Sequence, residues 1–195
     1  MIAEDLIRQY NQTRDCTDHS VLCHAPFTNL YFDQSGRGQA CCFNAHHPLG
    51  AYPQDSIHDM WFGEKAQALR DALKKNDLTQ GCRTCHNQVT SRNFPAHMSM
   101  FDRHINLKTA AGSPPIPSAE SSSTEPAYPL GMEFSLSNTC NLECVMCSGA
   151  LSSSIRQNRD KLPPIPNVYD DAFVEQLEDF IPSLIIAKFY GGEPF

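Results

Sequence analysis

Three cysteines lie within eight residues of the sequence, in the stretch SNTCNLECVMCSG (the three-cysteine loop, residues 137–149). Cys140, Cys144 and Cys147 have the spacing C-x3-C-x2-C. A short loop of this kind can place three thiolates around one corner of a cubic iron–sulfur cluster. One iron would then lack a protein ligand and stay open to a substrate or cofactor, as in catalytic metal sites. The alternatives are part of a zinc site, which normally has four ligands, and loop thiols without a metal.

A second group of cysteines, which we call the N-terminal cysteine set, lies earlier in the sequence. Its members are Cys23, Cys41 or Cys42, Cys82 and Cys85, and the last two are spaced C-x2-C. Four such thiolates can enclose a site that has protein ligands only, and an iron–sulfur cluster or a structural zinc ion would fit them. Because adjacent strand residues point to opposite faces, we expect only one of Cys41 and Cys42 to be a ligand. Cys16 has no assigned role.

The stretch CRTCH, residues 82–86, also fits the C-x-x-C-H pattern of haem attachment. That chemistry requires an exported protein, and the amino-terminal stretch MIAEDLIRQYNQTRD has no basic segment followed by an apolar run. No apolar run reaches the roughly 18 residues of a membrane span. We therefore expect a cytoplasmic protein without a membrane partner. Nine cysteines in a reducing compartment favour metal or cluster ligation over disulfides.

The charge balance argues against a nucleic-acid partner. The 195 residues include 15 Lys and Arg and 22 Asp and Glu, which give a net charge of −7. Surfaces that bind nucleic acid are basic, and the sequence has no stripe of basic and aromatic residues. The apolar fraction of 41% is sufficient for a packed core.

The two groups of cysteines are separated by a segment rich in Pro, Ser and Gly, AAGSPPIPSAESSSTEPAYPLG. A composition with almost no large apolar residues is typical of a flexible connection. We predict a first module over residues 1–109, a linker over 110–128 and a second module over 129–195.

The pattern of the first module predicts a cysteine-bearing hairpin followed by a helix. TNLYFDQSGRGQACCF contains a glycine turn between two apolar runs and predicts two short strands. SIHDMWFGEKAQALRDALKKN places Trp61, Leu69 and Leu73 near one face and predicts a single helix. GCRTCHNQ follows as a predicted tight loop, and the stretch around Tyr10 predicts an amino-terminal helix.

The second module predicts a βαβ unit. GMEFSLSNTC predicts a strand that runs into the three-cysteine loop, DDAFVEQLEDFI a helix capped by Asp170 or Asp171, and LIIAKFY a buried parallel strand. In a parallel unit both strands end at the same edge of the sheet, which is where sites in α/β folds form. The three-cysteine loop and the turn GGEP should therefore meet at this edge.

The spacing C-x3-C-x2-C after one strand, followed by a helix and by GGEP after a second strand, resembles the radical S-adenosylmethionine (SAM) superfamily. The resemblance covers residues 131–195, about a third of the chain. It implies that Cys140, Cys144 and Cys147 hold a 4Fe–4S cluster, whose fourth iron is chelated by the amino and carboxylate groups of SAM. It also implies protein contacts to both ends of SAM. The residues concerned are Gly191, Gly192 and Glu193 at the methionine end and Met146 near the adenine.

The N-terminal cysteine set resembles the auxiliary-cluster module of many radical SAM enzymes, called SPASM in its longer form and twitch in its shorter form. Cys23, twelve residues, Gly36, four residues and Cys41 match the spacing of that module, which favours Cys41 over Cys42. The resemblance implies a second, auxiliary 4Fe–4S cluster. Its ligands would be Cys23, Cys41, Cys82 and Cys85. No cysteine lies between Cys85 and Cys140, as in the one-cluster twitch form, but the module usually follows the barrel and here comes before it.

These resemblances imply an α/β fold, the start of a radical SAM partial (β/α) barrel preceded by a small cysteine-rich α+β module. They imply an enzyme that cleaves SAM reductively and uses the 5′-deoxyadenosyl radical to modify a small-molecule or peptide substrate, with a reductant such as flavodoxin or ferredoxin. An eight-unit barrel takes about 250 residues, so the chain resembles the amino-terminal segment of a longer enzyme and should show little turnover alone. The alternative is a non-catalytic zinc-binding or iron–sulfur electron-transfer module.

Overall fold

The computed structural model describes residues 2–16, 18–94, 96–110 and 127–192. Most of the predicted linker lies outside these residues, as does Glu193 of the predicted cofactor site. The division into 1–109, 110–128 and 129–195 therefore stays a prediction.

The described residues form a mixed α/β structure. In the first part of the chain the helices are α1 (Glu4–Asn11), α2 (Ala25–Thr28), α3 (Ile57–Phe62), α4 (Glu64–Lys74), α5 (Arg83–Thr90), α6 (Ala96–Ser99) and α7 (Asp102–Ala110), and the strands are β1 (Asn29–Phe32), β2 (Arg37–Gln39) and β3 (Gly50–Ala51). The second part contains β4 (Gly131–Phe134), α8 (Ser153–Asn158), α9 (Asp171–Leu177) and β5 (Ile186–Phe189). None of the helices among these residues is long and apolar enough to cross a lipid bilayer.

One sheet of five strands, in the order β3-β2-β1-β4-β5, joins the two parts of the chain. β1 and β2 form the predicted hairpin, with Tyr31 opposite Gln39. β1 also pairs in parallel with β4, with Asn29 opposite Gly131. Residues from both predicted modules therefore contribute to one sheet.

The predicted βαβ unit is confirmed. β4 and β5 are parallel neighbours, with Gly131 opposite Ile186, and α8 and α9 lie between them in the sequence. α9 begins as expected, because the Asp170 side chain accepts a hydrogen bond from the backbone N–H of Phe173. Both strands end at the same edge of the sheet, while α8 was not predicted.

The aromatic core lies on one face of the central strands. The ring of Phe32 stacks on Phe134 at a centroid distance of 5.9 Å and meets the edge of Phe173 from α9 at 5.1 Å. The opposite face is polar, and there the buried carboxylate of Glu133 accepts a hydrogen bond from Lys188 Nζ at 3.0 Å. This alternation follows from the period of two along a strand.

Polar contacts also join the first part of the chain to the second. Trp61 Nε1 donates to the carbonyl of Ala127 at 2.9 Å, and the backbone N–H of Ile57 donates to Gln176 Oε1 at 2.9 Å. The Tyr169 hydroxyl donates to the carbonyl of Asp33 at 2.5 Å. The two parts therefore contact each other through side chains as well as through β1 and β4.

Three local predictions were wrong. The helix predicted across residues 56–76 is two helices, because Gly63 has extended backbone angles and ends α3 before α4 starts. The stretch GCRTCHNQ is not a loop throughout, since α5 begins at Arg83. β5 is parallel as predicted but not buried: its residues alternate between half-buried and exposed, because it is the edge strand of the sheet.

Candidate metal centres

The N-terminal cysteine set lines one cavity. Cys23 precedes α2, Cys41 follows β2, Cys82 precedes α5 and Cys85 lies in its first turn. All four line a mainly apolar cavity together with side chains such as Leu73, Leu78, Met98 and Phe101. About 20 Å³ of it is open to the centre of a water molecule. The structure thus brings the four predicted ligands to one place.

The hairpin turn delivers Cys41 to this cavity. Gly36 has φ +87°, a conformation that glycine adopts without strain, and Asp33 Oδ1 accepts the backbone N–H of Ser35 at 2.9 Å and of Arg37 at 3.1 Å. The far end of β2 is held by Asn29, whose Nδ2 donates to the carbonyl of Ala40 at 3.0 Å. Cys41 therefore lies near the amino ends of β1 and β4.

Cys82 and Cys85 reach the cavity from the start of α5. Cys82 and Cys85 are three residues apart, so their side chains lie on the same side of the helix. Gly81, at φ +73°, allows the chain to turn tightly before the helix, because a Cβ there would lie 2.4 Å from His47 Cβ. The approach also places Asn44, a residue that sequence reasoning missed, 3.3 Å from Cys82 Sγ.

Burial favours the neutral, protonated form of these four thiols. It raises the pKa of Cys85 to about 12 and the pKa values of Cys23, Cys41 and Cys82 above their usual range. Among the described residues that line the cavity, none is basic. Thiolates at this position therefore need a cation, which a bound metal centre would supply. The donor set fits such a centre.

The spacing of the sulfurs favours a cluster over a single zinc ion. Four thiolates around one zinc lie about 3.8 Å apart, because the Zn–S distance is about 2.3 Å and the geometry is tetrahedral. No three sulfurs of the N-terminal cysteine set come within 4.8 Å of one another, although all four residues are described. A cubane, which spreads its ligands over four irons, accommodates wider spacing.

Cys42 points away from this cavity. It is exposed and does not line the cavity, whereas Cys41 is buried and lines it. With Cys41 as the ligand, the sequence predicts that Cys42 is a small core residue, and this prediction is wrong because Cys42 is exposed. Opposite orientations of adjacent residues agree with the choice of Cys41 as the ligand, which stays a prediction.

Cys16 lies in a different group. Its ligand atom and those of His24 and Asp102 lie within 4.8 Å of one another. However, Arg14 donates to both Asp102 oxygens, from Nη2 at 2.6 Å and from Nε at 2.8 Å. A guanidinium at this position repels a metal cation and already pairs the carboxylate. The group is best described as a buried polar network that attaches α7 to the segment before Cys23.

The three-cysteine loop lies at the surface, beyond the end of β4. The side chain of Ser153 accepts the N–H of Cys140 at 3.0 Å and donates to its carbonyl at 3.0 Å. Arg159 Nη2 donates to the carbonyl of Cys147 at 2.8 Å. α8 and the residue that follows it thereby hold both ends of the loop, while Cys144 at its tip is exposed.

The glycine turn after β5 contacts this loop. Gly191 has φ +81°, and a Cβ there would lie 2.7 Å from the carbonyl oxygen of Ser137. Gly192 has φ +60°, its N–H donates to the carbonyl of Leu151 at 3.1 Å, and a Cβ would lie 2.3 Å from the carbonyl oxygen of Thr139. The predicted meeting of loop and turn is observed, and only glycine fits it without strain.

The remaining predicted cofactor residues are less constrained. Met146 is 92% exposed. Glu193 lies outside the described residues. Their assignment to a SAM site stays a prediction.

The two sites lie at opposite ends of the parallel strands. The N-terminal cysteine set is level with Asn29 and Gly131, which are paired at the start of β1 and β4. The three-cysteine loop follows Ser135, at the other end. At about 3.3 Å per residue, β4 alone separates the two ends by roughly 13 Å.

Comparison with known proteins gives one match, which covers the first of these sites. Residues 23–86, about a third of the chain, match the SPASM family, described as an iron–sulfur cluster-binding domain. The matched segment contains all four residues of the N-terminal cysteine set, and residues 129–195 lie outside it. Neither a curated protein nor a solved structure matches the chain significantly. The family match supports an iron–sulfur cluster-binding module of the SPASM type over residues 23–86.

Proposed function

We propose that this chain is part of a radical SAM enzyme with one auxiliary cluster. The observation that carries the proposal is the contact between the three-cysteine loop and the glycine turn. Two parallel strands end side by side, one leads into three closely spaced cysteines, and the other into Gly191 and Gly192, which press against residues 135–139. Open sites in α/β folds form at such an edge.

The loop suits a cluster that keeps one iron open. Cys140, Cys144 and Cys147 supply three thiolates, and the tip of the loop is exposed enough to admit a second molecule. When bound, such a cluster supplies the electron that cleaves SAM into methionine and a 5′-deoxyadenosyl radical. In this proposal the chain contributes the three thiolates and the turn at Gly191 and Gly192, where backbone groups without side chains can approach the cofactor.

The N-terminal cysteine set has a different role in the proposal. Four cysteine ligands leave a cubane no open iron, so this auxiliary 4Fe–4S cluster would transfer electrons and not bind the substrate directly. Its position at the amino ends of β1 and β4 leaves the polar face with Glu133 and Lys188 between the two sites. A small-molecule or peptide substrate would lie over this face, and flavodoxin or ferredoxin would reduce the exposed cluster.

One observation favours a simpler function. The family match covers the N-terminal cysteine set alone, so a non-catalytic iron–sulfur electron-transfer module would also account for it. The two functions differ in their response to SAM. An open iron binds SAM and changes its spectrum, whereas a module with closed clusters does not respond.

Anaerobic reconstitution with iron and sulfide tests the proposal. We expect about eight irons per chain, as two 4Fe–4S clusters require, and a shift of one reduced-cluster electron paramagnetic resonance (EPR) signal when SAM is added. Cys144→Ala should remove about four irons and the whole SAM response. Val145→Ala, at the adjacent position with a side chain that is 96% exposed, is the matched control and should retain both. A SAM response in Cys144→Ala, or none in the unmodified chain, would overturn the proposal.

A further inference from the structure

Asn44 is a buried amide at the edge of the N-terminal cysteine cavity. It is 1% exposed and lines the cavity three residues after Cys41. Its Nδ2 donates to Cys82 Sγ at 3.3 Å and to the carbonyl of Gln80 at 3.0 Å. Its backbone N–H donates to the carbonyl of Cys41 at 3.0 Å. Asn44 therefore contacts Cys41, which follows the hairpin, and Cys82, which precedes α5.

The orientation of this amide is determined by its neighbours. The carbonyl of Gln80 can only accept a hydrogen bond, so the amide atom that faces it must be the nitrogen. The same nitrogen then faces Cys82 Sγ. Asn44 Oδ1 is buried without a hydrogen-bond partner among the described residues. An unpaired buried acceptor costs free energy. We attribute the presence of Asn44 despite this cost to the hydrogen bonds that its Nδ2 donates.

The backbone around Asn44 keeps this donor in place. The N–H of His47 donates to the carbonyl of Asn44 at 3.1 Å. Gly81 lacks a side chain where a Cβ would lie 2.9 Å from Asn44 Nδ2. The close approach of the two segments therefore leaves the amide little freedom to move away from Cys82.

We propose that Asn44 hydrogen-bonds the Cys82 thiolate of the auxiliary cluster and thereby raises the reduction potential of that cluster. This inference rests on the proposed function, because it requires a cluster at the N-terminal cysteine set. A donor aimed at a ligand sulfur stabilises the more negative, reduced state more than the oxidised state. Partners of metal ligands also orient them and strengthen binding. Asn44 is thus a positioning residue that acts through Cys82.

The test isolates the auxiliary cluster in the 195-residue chain. Cys140, Cys144 and Cys147 are replaced by alanine, so that one cluster remains and reports alone. In this background Asn44→Leu removes the donor at similar volume. We expect a lower midpoint potential and iron binding weakened about 10-fold.

Asn138→Leu is the matched control. Asn138 is also a buried amide whose Nδ2 donates to a backbone carbonyl, that of Gly149 at 3.0 Å, but it lies at the emptied three-cysteine loop and not at the auxiliary cluster. We expect its potential to equal that of the background chain. An equal shift in both variants, or no shift in Asn44→Leu, would overturn the inference.

A second measurement avoids any substitution at Asn44. In a background chain labelled with ¹⁵N only at its asparagine side chains, the reduced cluster should show a hyperfine coupling to ¹⁵N, measured by pulsed EPR, because Asn44 is the asparagine among the described residues that line the cavity. If Asn44→Leu loads no cluster, this coupling decides: its absence would contradict the inference. A background chain that binds no cluster would contradict the proposed function instead, so the two failures are distinguishable.

Discussion

The two cysteine sites differ in burial more than in ligand chemistry. In the N-terminal set, Cys23, Cys41 and Cys85 are at most 9% exposed and share a cavity with apolar side chains. In the three-cysteine loop, Cys144 is exposed and the adjacent Val145 is 96% exposed. One site is closed within the core of the first part of the chain, and the other is open beyond an edge of the sheet.

This difference teaches how one chain can divide two tasks between similar thiolates. A cluster that only exchanges electrons can be enclosed, and its environment then tunes the potential. A cluster that binds a cofactor must keep one iron accessible. The closed site is also part of the core, so its loss should affect folding, whereas loss of the open site should affect only binding.

The largest effect should come from Cys41→Ala, compared with Cys42→Ala. Cys41 belongs to the core and lines the cavity, while the adjacent Cys42 is exposed. We expect Cys41→Ala to lose about four irons and, because metal binding contributes to folding, to unfold at lower temperature. Cys42→Ala should retain all its iron and its melting temperature. Iron content and thermal unfolding by circular dichroism are the measurements, and iron loss in Cys42→Ala alone would reverse the assignment.

Local patterns were enough to predict β4, α9, β5 and the glycine turn at the open site, but not α8, which helps to hold the three-cysteine loop. The apolar run at β5, the cap at Asp170 and the cysteine spacing are all readable within a few residues. The parallel βαβ unit then follows from strand order, and it places the three-cysteine loop beside Gly191 and Gly192. This part of the candidate site was predictable because each step depends on neighbours in sequence.

The environment of the closed site was not predictable from the sequence. Arg14 and Asp102 are 88 residues apart, and Asn44 reaches Cys82 across 38 residues. Such polar contacts have no periodic signal, since each involves one side chain from a distant segment. The pairing of β1 with β4 was missed for the same reason, because the predicted linker separated the two modules.

Short-range errors have a different cause. The prediction of one helix failed at Gly63 because the apolar pattern continues across this residue. The backbone of Gly63 is extended, so α3 ends and α4 begins there. The sequence around α5 predicts a loop because Gly81 and two closely spaced cysteines are typical of a turn. In both cases one glycine fixed an element boundary, which is the part of a helix that periodicity specifies least.

A smaller effect is expected from Gly192→Ala, with Gly36→Ala as its matched control. Both glycines have positive φ, and at both a Cβ would lie 2.3 Å from a carbonyl oxygen, of Thr139 and of Tyr52 respectively. Each substitution should destabilise the chain by about 1–3 kcal/mol. Only Gly192→Ala should weaken SAM binding, by about 10-fold or more, because only it displaces the three-cysteine loop.

SAM affinity, measured from the shift of the cluster EPR signal, separates the two glycine variants. Equal losses in both would mean that the open site responds to overall stability and not to local contact. Unchanged affinity in Gly192→Ala would remove the turn from the proposed cofactor site, while leaving the closed site as described.

The smallest effect concerns the junction between the two regions, where His104 of α7 lies against the start of β4. His104 is 2% exposed, its Nδ1 lies 3.2 Å from Thr28 Oγ1, and its Cε1 occupies the space beside Gly131. Burial, together with the nearby positive charge of Lys188, lowers the pKa of His104 from 6.5 to about 4. The neutral imidazole is therefore the form that the folded chain accommodates.

The sign of the pH effect follows from this lowered pKa. Between pH 6.5 and 4 the unfolded chain binds a proton at His104 that the folded chain does not, so stability falls as the pH decreases through this window and is fully present above it.

Between pH 7 and 5 the unmodified chain should lose about 2 kcal/mol more unfolding free energy than His104→Gln, at about 1.4 kcal/mol per pH unit. The lowered pKa of Asp102 acts below this window. His24 is present in both chains, and its charge is a further cause of the lowered pKa of His104. Anaerobic urea unfolding at the two pH values measures the difference. Equal losses would mean that the imidazole of His104 is hydrated in the folded chain, and that α7 does not hold it against β4 as described.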